Sequence, residues 1–348
     1  MNVGLSTIAE KTGADVGTVS RVLRGLAEQY RISEKRAARI RRVAEDIGYR
    51  PNFYARAQAR GRFQTVGLLI REHKYNWIPV KLLEGIQAAL REHGIALTIC
   101  SVTDRDANED RVPDVLSHAM VDGLLVMAQP FQFTDTVLHQ IEEGPVRAVW
   151  IAADDTEHGV CVANEAGSYE AAEYLLNLGH RRIEMVGYPD EGTKQASRYD
   201  GYKDAMRDHG LASHIIPTIQ GIGERLDSPD RPTALICRSL DRCPPVLLAA
   251  SRRQLCIPED LSVMQMGPLA DHGPDIITGM YLDEHRRGRT AVHMLLEEID
   301  NPSEDPTPHI AALEFVDAGT CAPPPAPAAD GKTEERNRRV VWVDFVTS

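Results

Sequence analysis

No run of 18 apolar residues occurs in this 348-residue chain, so the sequence offers no membrane-spanning helix. The opening MNVGLSTIAEKTG has no basic stretch followed by an apolar one, and the expectation is no secretory signal and a cytoplasmic chain. The six cysteines (Cys100, Cys161, Cys237, Cys243, Cys256 and Cys321) form no CxxC pair and no Cys/His spacing suited to a metal. They read as free thiols in a reducing compartment. Twelve scattered histidines, among them His180 and His209 beside glycines at expected helix ends, read as structural or solvated. There is no P-loop, and Gly221-Ile222-Gly223 lacks the third glycine of a dinucleotide fingerprint. No Ser/His/Asp or Cys/His set stands in a catalytic context. No enzyme activity, metal or cofactor is therefore expected. No leucine heptad follows residue 321, which argues against a tetramer built on a C-terminal coiled coil.

Charge is present, and it is unevenly placed. Residues 1–62 hold 13 Lys and Arg against 6 Asp and Glu, a net of +7. The whole chain is −12, which leaves residues 63–348 at −19. A basic head on an acidic body is the electrostatic pattern of a nucleic-acid arm on a separate globular module. Hydrophobic content of 43% and charged content of 26% are ordinary for a globular protein, and the length suggests two or three units.

The head has the pattern of two short helices joined at Gly13, over residues 5–23. Leu5, Ile8, Ala9, Val19, Val22 and Leu23 are spaced to share one small core. That leaves Thr18, Ser20 and Arg21 expected on the outside of the second helix. Small hydroxyls and one arginine on a short outward helix suit phosphate oxygens and base edges in a DNA major groove. A third helix is expected from about Ser33 to Ile47, with Ser33 as N-cap and Gly48 as stop. Pro51 then ends this region, and Asn52 can cap a short basic helix to about Arg60.

Beyond residue 64 strands alternate with helices. Strands are expected at 65–70, 96–100, 121–127 and 146–151, with helices at about 79–93, 108–119 and 134–143. The alternation restarts after residue 160, with helices at 166–178, 198–209 and 284–299. Strands fall at 182–186, 233–237, 262–266 and 311–316. This predicts two consecutive lobes of doubly wound parallel sheet with a cleft between them. Residues 323–329 are Pro- and Ala-rich and read as a stiff linker. The tail RNRRVVWVDF is expected to be loosely held, with an added sheet strand as the alternative.

An ordered set of motifs carries a resemblance. It includes Ile8-Ala9, Gly13, Thr18-Val19-Ser20-Arg21-Val22, Gly48-Tyr49-Arg50-Pro51-Asn52 and Ala55 in the head. In the body it includes Val121-Asp122-Gly123, Leu178-Gly179-His180-Arg181-Arg182-Ile183, Arg198-Tyr199-Asp200-Gly201-Tyr202, Pro232-Thr233-Ala234 and Ile257-Pro258-Glu259-Asp260-Leu261-Ser262-Val263. The chain resembles the lactose-repressor (LacI/GalR) family of bacterial transcriptional regulators over about residues 4–321. The resemblance implies an α/β fold with a helix-turn-helix three-helix head (1–51), a hinge helix and linker (52–63), and a two-lobed periplasmic-binding-protein-like body (64–321) that binds an effector and dimerises. A linker and tail (322–348) complete it. It implies a homodimer that grips a near-palindromic double-stranded DNA operator. A small molecule, usually a sugar or nucleobase, sits between the lobes and shifts operator affinity by linkage.

The candidate DNA contacts under this resemblance are Val16, Gly17, Thr18, Ser20, Arg21 and Arg24 in the head, then Tyr49, Asn52, Ala55, Arg56 and Gln58. The candidate effector contacts are Arg198, Trp77, Trp150 and Ser239. The departures matter. Val16 and Gly17 cannot hydrogen-bond a base through their side chains, and Gln58 stands where a wedge leucine is usual. Asp15 is a good N-cap but repels phosphate. Ser239-Leu240, Gly267-Pro268, Ala163 and Ala318 replace polar groups that hold sugar hydroxyls in the family. The expected effector is a small carbohydrate-like molecule, with an anionic sugar derivative more expected here than in a typical member of the family. The alternative is a DNA-binding regulator with a degenerate pocket, favoured if Arg198, Trp77 and Trp150 do not converge. A solute-binding protein is the remote alternative.

Overall fold

The computed structural model describes residues 4–49, 62–71, 78–109, 111–118, 120–128, 133–152, 158–187, 197–268, 277–303 and 307–326. The chain divides into two compact units, 1–63 and 64–348. The expected hinge helix, Trp77 and the tail lie outside the described residues.

In the first unit, α1 (Leu5–Thr12), α2 (Val16–Leu23) and α3 (Glu34–Asp46) surround a small core. Helix α1 ends at Gly13, whose φ of 65° is the left-handed conformation that closes a helix. Ile8, Val19, Val22, Ala37 and Ile40 are at most 1% exposed. Leu5, Ala9 and Leu23 enter this core only in part, and Ala14 and Ala27 complete it. Helix α3 starts after Ser33, but the Ser33 hydroxyl makes no capping bond.

The second unit holds two six-stranded sheets. In the first lobe, β1 (Thr65–Arg71), β2 (Ala96–Val102), β3 (Gly123–Met127), β4 (Arg147–Ile151) and β5 (Gly159–Val162) pair in parallel in the order β5-β4-β3-β1-β2. Helices α4 (Val80–Glu92), α5 (Asp104–Asn108), α6 (Asp114–Ser117) and α7 (Asp135–Glu142) connect them. Leu68, Leu69, Leu124 and Leu125 are fully buried because layers cover both sheet faces. Each such side chain contributes about 1.5–3 kcal/mol by leaving water. The single helix expected at 108–119 is instead the short α5 and α6. Pro113 lies between them and lacks the N–H that a continuous helix needs.

The second lobe contains α8 (Asn164–Asn177), β6 (Ile183–Val186), α9 (Ser197–Asp208), β7 (His214–Ile216), α10 (Ile219–Asp227), β8 (Ala234–Cys237), α11 (Cys243–Arg252), β9 (Ser262–Pro268) and β10 (Thr278–Leu282). Its strands run in parallel in the order β10-β9-β8-β6-β7.

The lobes are not consecutive in sequence, contrary to expectation. Helix α12 (Glu284–Asp300) returns to the first lobe, where Ala291, Val292 and Leu295 join Leu82, Ile86 and Ala89 in one core. The strand expected at 311–316 is two strands. β11 (His309–Ala311) extends the first sheet beside β5, and β12 (Glu314–Val316) pairs antiparallel with β10 in the second. Helices α4 and α12 approach closely through two glycines. A Cβ on Gly85 would overlap the His285 carbonyl, and one on Gly288 would overlap the Leu82 carbonyl.

Candidate DNA-reading face and inter-lobe cleft

Helix α2 begins at an Asp15 cap. The Thr18 N–H donates to Asp15 Oδ1 at 2.8 Å, and the Thr18 hydroxyl donates to Asp15 Oδ2 at 2.6 Å. These bonds from Thr18 hold the Asp15 carboxyl below the ordinary carboxylate range. They also correct one expectation. Thr18 does not point outward: it is only 9% exposed, and its hydroxyl is engaged by the cap.

The exposed face of α2 consists of Val16, Gly17 and Arg21, with Arg24 at its end and Ser20 half-buried beside them. The Arg21 guanidinium stacks on the Tyr30 ring, 4.6 Å from its centre. Tyr30 is 50% exposed, and the sequence reading missed it. Its signal was an aromatic among polar residues in the loop before α3. Tyr49 is half-buried against the head core, so only part of it is available to a partner. Asn52, Ala55, Arg56 and Gln58 lie outside the described residues.

The cleft follows from the chain crossings. β5 ends at Val162 and α8 begins at Asn164; β10 ends at Leu282 and α12 begins at Glu284. The third crossing, from β11 to β12, also reaches the carboxyl end of β10, because Tyr281 pairs with Glu314. All three crossings therefore lie at strand carboxyl ends, where open parallel sheets bind ligands.

Arg198 sits on this side of the second lobe. Its Nε donates to Asn164 Oδ1 at 2.7 Å, and its Nη1 donates to the Arg238 carbonyl, just past β8, at 2.6 Å. The buried Ser168 hydroxyl donates to the Arg198 carbonyl and fixes the start of α9. A guanidinium held by a first-turn residue of α8 and a strand end is pre-oriented. Ser239 lies nearby in sequence and is half-buried, with its hydroxyl donating to Asp241 Oδ1 at 2.5 Å.

Trp150 does not join them. It is 6% exposed and packs edge-on against Phe133 in the first-lobe core, with ring centres 6.0 Å apart. Its place on β4 turns the indole into the sheet-helix layer, so the expectation of a ligand contact is withdrawn. A separate cavity of about 130 Å³ lies at the amino ends of β6 and β7, away from the crossings. There Arg225 bridges Glu184 and Asp230 at 2.7 and 2.8 Å. Among the described residues no His/Cys/Asp/Glu cluster is suited to a metal, and no helix is long and apolar enough to cross a membrane.

Known proteins share this arrangement. Residues 63–228 match the profile of periplasmic binding proteins and the sugar-binding domain of the LacI family, and residues 172–321 match that of the periplasmic binding protein-like domain. Catabolite control protein A of Priestia megaterium is 26% identical over 283 residues, covering 76% of this chain and 82% of that protein. The transcriptional repressor CytR of Escherichia coli K12 is 24% identical over 308 residues, covering 85% and 89%. The structure of the lac repressor dimer bound to operator and the anti-inducer ONPF superposes with a TM-score of 0.77 at 17% identity, covering 92% of this chain and 100% of that one. This chain belongs to the lactose-repressor (LacI/GalR) family of transcriptional regulators, which are not enzymes.

Proposed function

We propose that the chain represses transcription in the cytoplasm by binding a near-palindromic operator as a homodimer, and that a small carbohydrate-like effector in the inter-lobe cleft changes its affinity. The exposed face of α2, with Arg21 braced on Tyr30 in a head of net charge +7, carries the DNA reading. One head offers few base contacts, and a two-fold pair on a palindrome doubles them. The body offers a surface for pairing: among the described strands β2 stands at the sheet edge, seven residues long, with Ile99 48% exposed. The similar lac repressor structure is a dimer on its operator.

Arg198, held by Asn164 and the Arg238 carbonyl, carries the effector reading. The test begins with an operator selected from random duplexes by the full-length protein. Sedimentation should find two chains per duplex, and a sugar panel should change operator affinity. Arg198→Ala should abolish that response and leave DNA binding intact. A monomer at micromolar concentration that still binds tightly would overturn the dimer, and an unchanged response in Arg198→Ala would overturn the pocket.

A second reading is a regulator with a degenerate pocket. The core position of Trp150 favours it, as do Leu240 and Gly267 where the family has polar groups. It predicts operator binding that no sugar alters in the wild-type protein.

A further inference from the structure

We propose that Arg287 is a second effector anchor, supplied by the first lobe, and that the effector carries a carboxylate or phosphate group. The proposal rests on the cleft reading above and adds to it a residue and a charge. Arg287 lies one turn into α12, directly after the crossing from β10. It is only 8% exposed. Its Nη2 donates to the Ala152 carbonyl, just past the carboxyl end of β4. The side chain thus stands at the end of the first-lobe sheet that meets the crossings.

Its hydrogen bonding is incomplete. Nη1 pairs with the Glu284 carboxylate at 3.3 and 3.5 Å, an ion pair but long for a charge-assisted hydrogen bond. Nε has no partner, and among the described residues it is the only buried side-chain nitrogen or oxygen in that state. Buried donors are almost always paired, and guanidinium N–H groups are strong donors. Two anionic oxygens can accept from Nε and an Nη together, which is the paired geometry of guanidinium with carboxylate or phosphate. A neutral hydroxyl supplies one weaker acceptor and no charge.

The Glu284 carboxylate faces Arg287, and further arginines stand at the same ends of the sheets. Arg71 ends β1 and is 9% exposed, donating to the Val102 carbonyl at 2.9 Å and to Asp104 at 2.7 Å. Arg198 and Arg238 stand at the end of β8. Arginines therefore occupy strand carboxyl ends in both lobes. An acidic ligand between Arg287 and Arg198 would tie the lobes together, which a ligand held by one lobe cannot do.

The test is calorimetry on the full-length protein with a panel of neutral sugars, the matching aldonic and uronic acids, and the matching sugar phosphates. The acid and phosphate arms separate the two sources of negative charge. At least one acidic member should bind about tenfold or more tightly than its neutral counterpart. Arg287→Gln should remove that preference, and Arg287→Lys should recover part of it. Breaking a buried pair can also unfold a protein, so Glu284→Gln/Arg287→Gln, which removes both charges, is measured alongside and should lose the preference too. Circular dichroism and operator binding should match the wild type in the variants used. Undiminished acid binding in both Gln variants overturns the proposal, as does binding by neutral sugars alone or by no acid in the panel. If Arg198→Ala abolishes binding while the Arg287 variants do not weaken it, the cleft reading stands and this proposal fails. If Arg198→Ala also binds unchanged, the cleft reading itself fails.

Discussion

The guanidinium of Arg21 lies 4.6 Å from the ring centre of Tyr30, so a residue nine positions downstream sets the direction of this exposed arginine. A cation–π contact at an exposed site contributes about 0.5–1 kcal/mol. Tyr30→Ala should therefore weaken operator binding about two- to fivefold. Arg21→Ala should weaken it by about 1–3 kcal/mol, with a smaller loss on random DNA. Fluorescence anisotropy on both duplexes measures this, and equal losses on the two would demote Arg21 to a phosphate contact.

Asp15 caps α2 with both carboxylate oxygens on Thr18. Asp15→Ala should speed hydrogen exchange at the Thr18 and Val19 amides, while Asp15→Asn should retain much of the protection. Because the folded carboxyl is held below its ordinary value by Thr18, the cap is fully present above the ordinary carboxylate range. It is lost as pH falls through the lowered value. Unchanged exchange in Asp15→Ala would show that α2 does not depend on this cap.

Gly85 and Gly288 allow α4 and α12 to meet backbone to backbone. Gly85→Ala or Gly288→Ala should each destabilise the body by about 1–3 kcal/mol through overpacking. The double variant should cost less than the sum, since one helix shift relieves both overlaps. Denaturant midpoints decide this, and two wild-type midpoints would refute it.

His180 is buried beside the end of the described chain. Its Nε2 donates to the Ala322 carbonyl at 2.8 Å, and its Nδ1 accepts from the Thr233 hydroxyl at 2.8 Å. Burial lowers its pKa below the ordinary imidazole value. The unfolded chain then takes up a proton at higher pH than the folded one. Stability should be full above the ordinary value and should fall as pH drops toward the lowered one. His180→Gln should lower the urea midpoint at about pH 7 and flatten its decline toward about pH 5. His158, also lowered by burial, keeps part of the slope. An unaltered slope in His180→Gln would rule out this role.

Much was legible in the amino-acid order because it is local. Ile8, Val19 and Val22 announce a shared helical core through their spacing, Gly13 announces the turn, and Asp15 announces the cap. The alternation of buried apolar runs with amphipathic stretches announces parallel sheets, since such strands must be covered on both faces. Arg198 stood out by its motif, and its guanidinium reaches Asn164 at the first crossing and the carbonyl just past β8.

Tertiary packing decided the rest. Thr18 looked outward by helical spacing, yet the Asp15 carboxylate captured its hydroxyl. Trp150 looked like a cleft aromatic, yet the layer beside β4 left it only the core and Phe133. Helix α12 looked like part of the second lobe, yet its stripe fits α4, about two hundred residues earlier, through Gly85 and Gly288. That return also put Arg287 against Ala152, with an Nε that no spacing rule reveals. Period and capping are written in near neighbours, and so a sequence determines them alone. Which lobe an apolar stripe joins, and which oxygen a side chain reaches, depends on complementary shapes that meet only when distant segments pack.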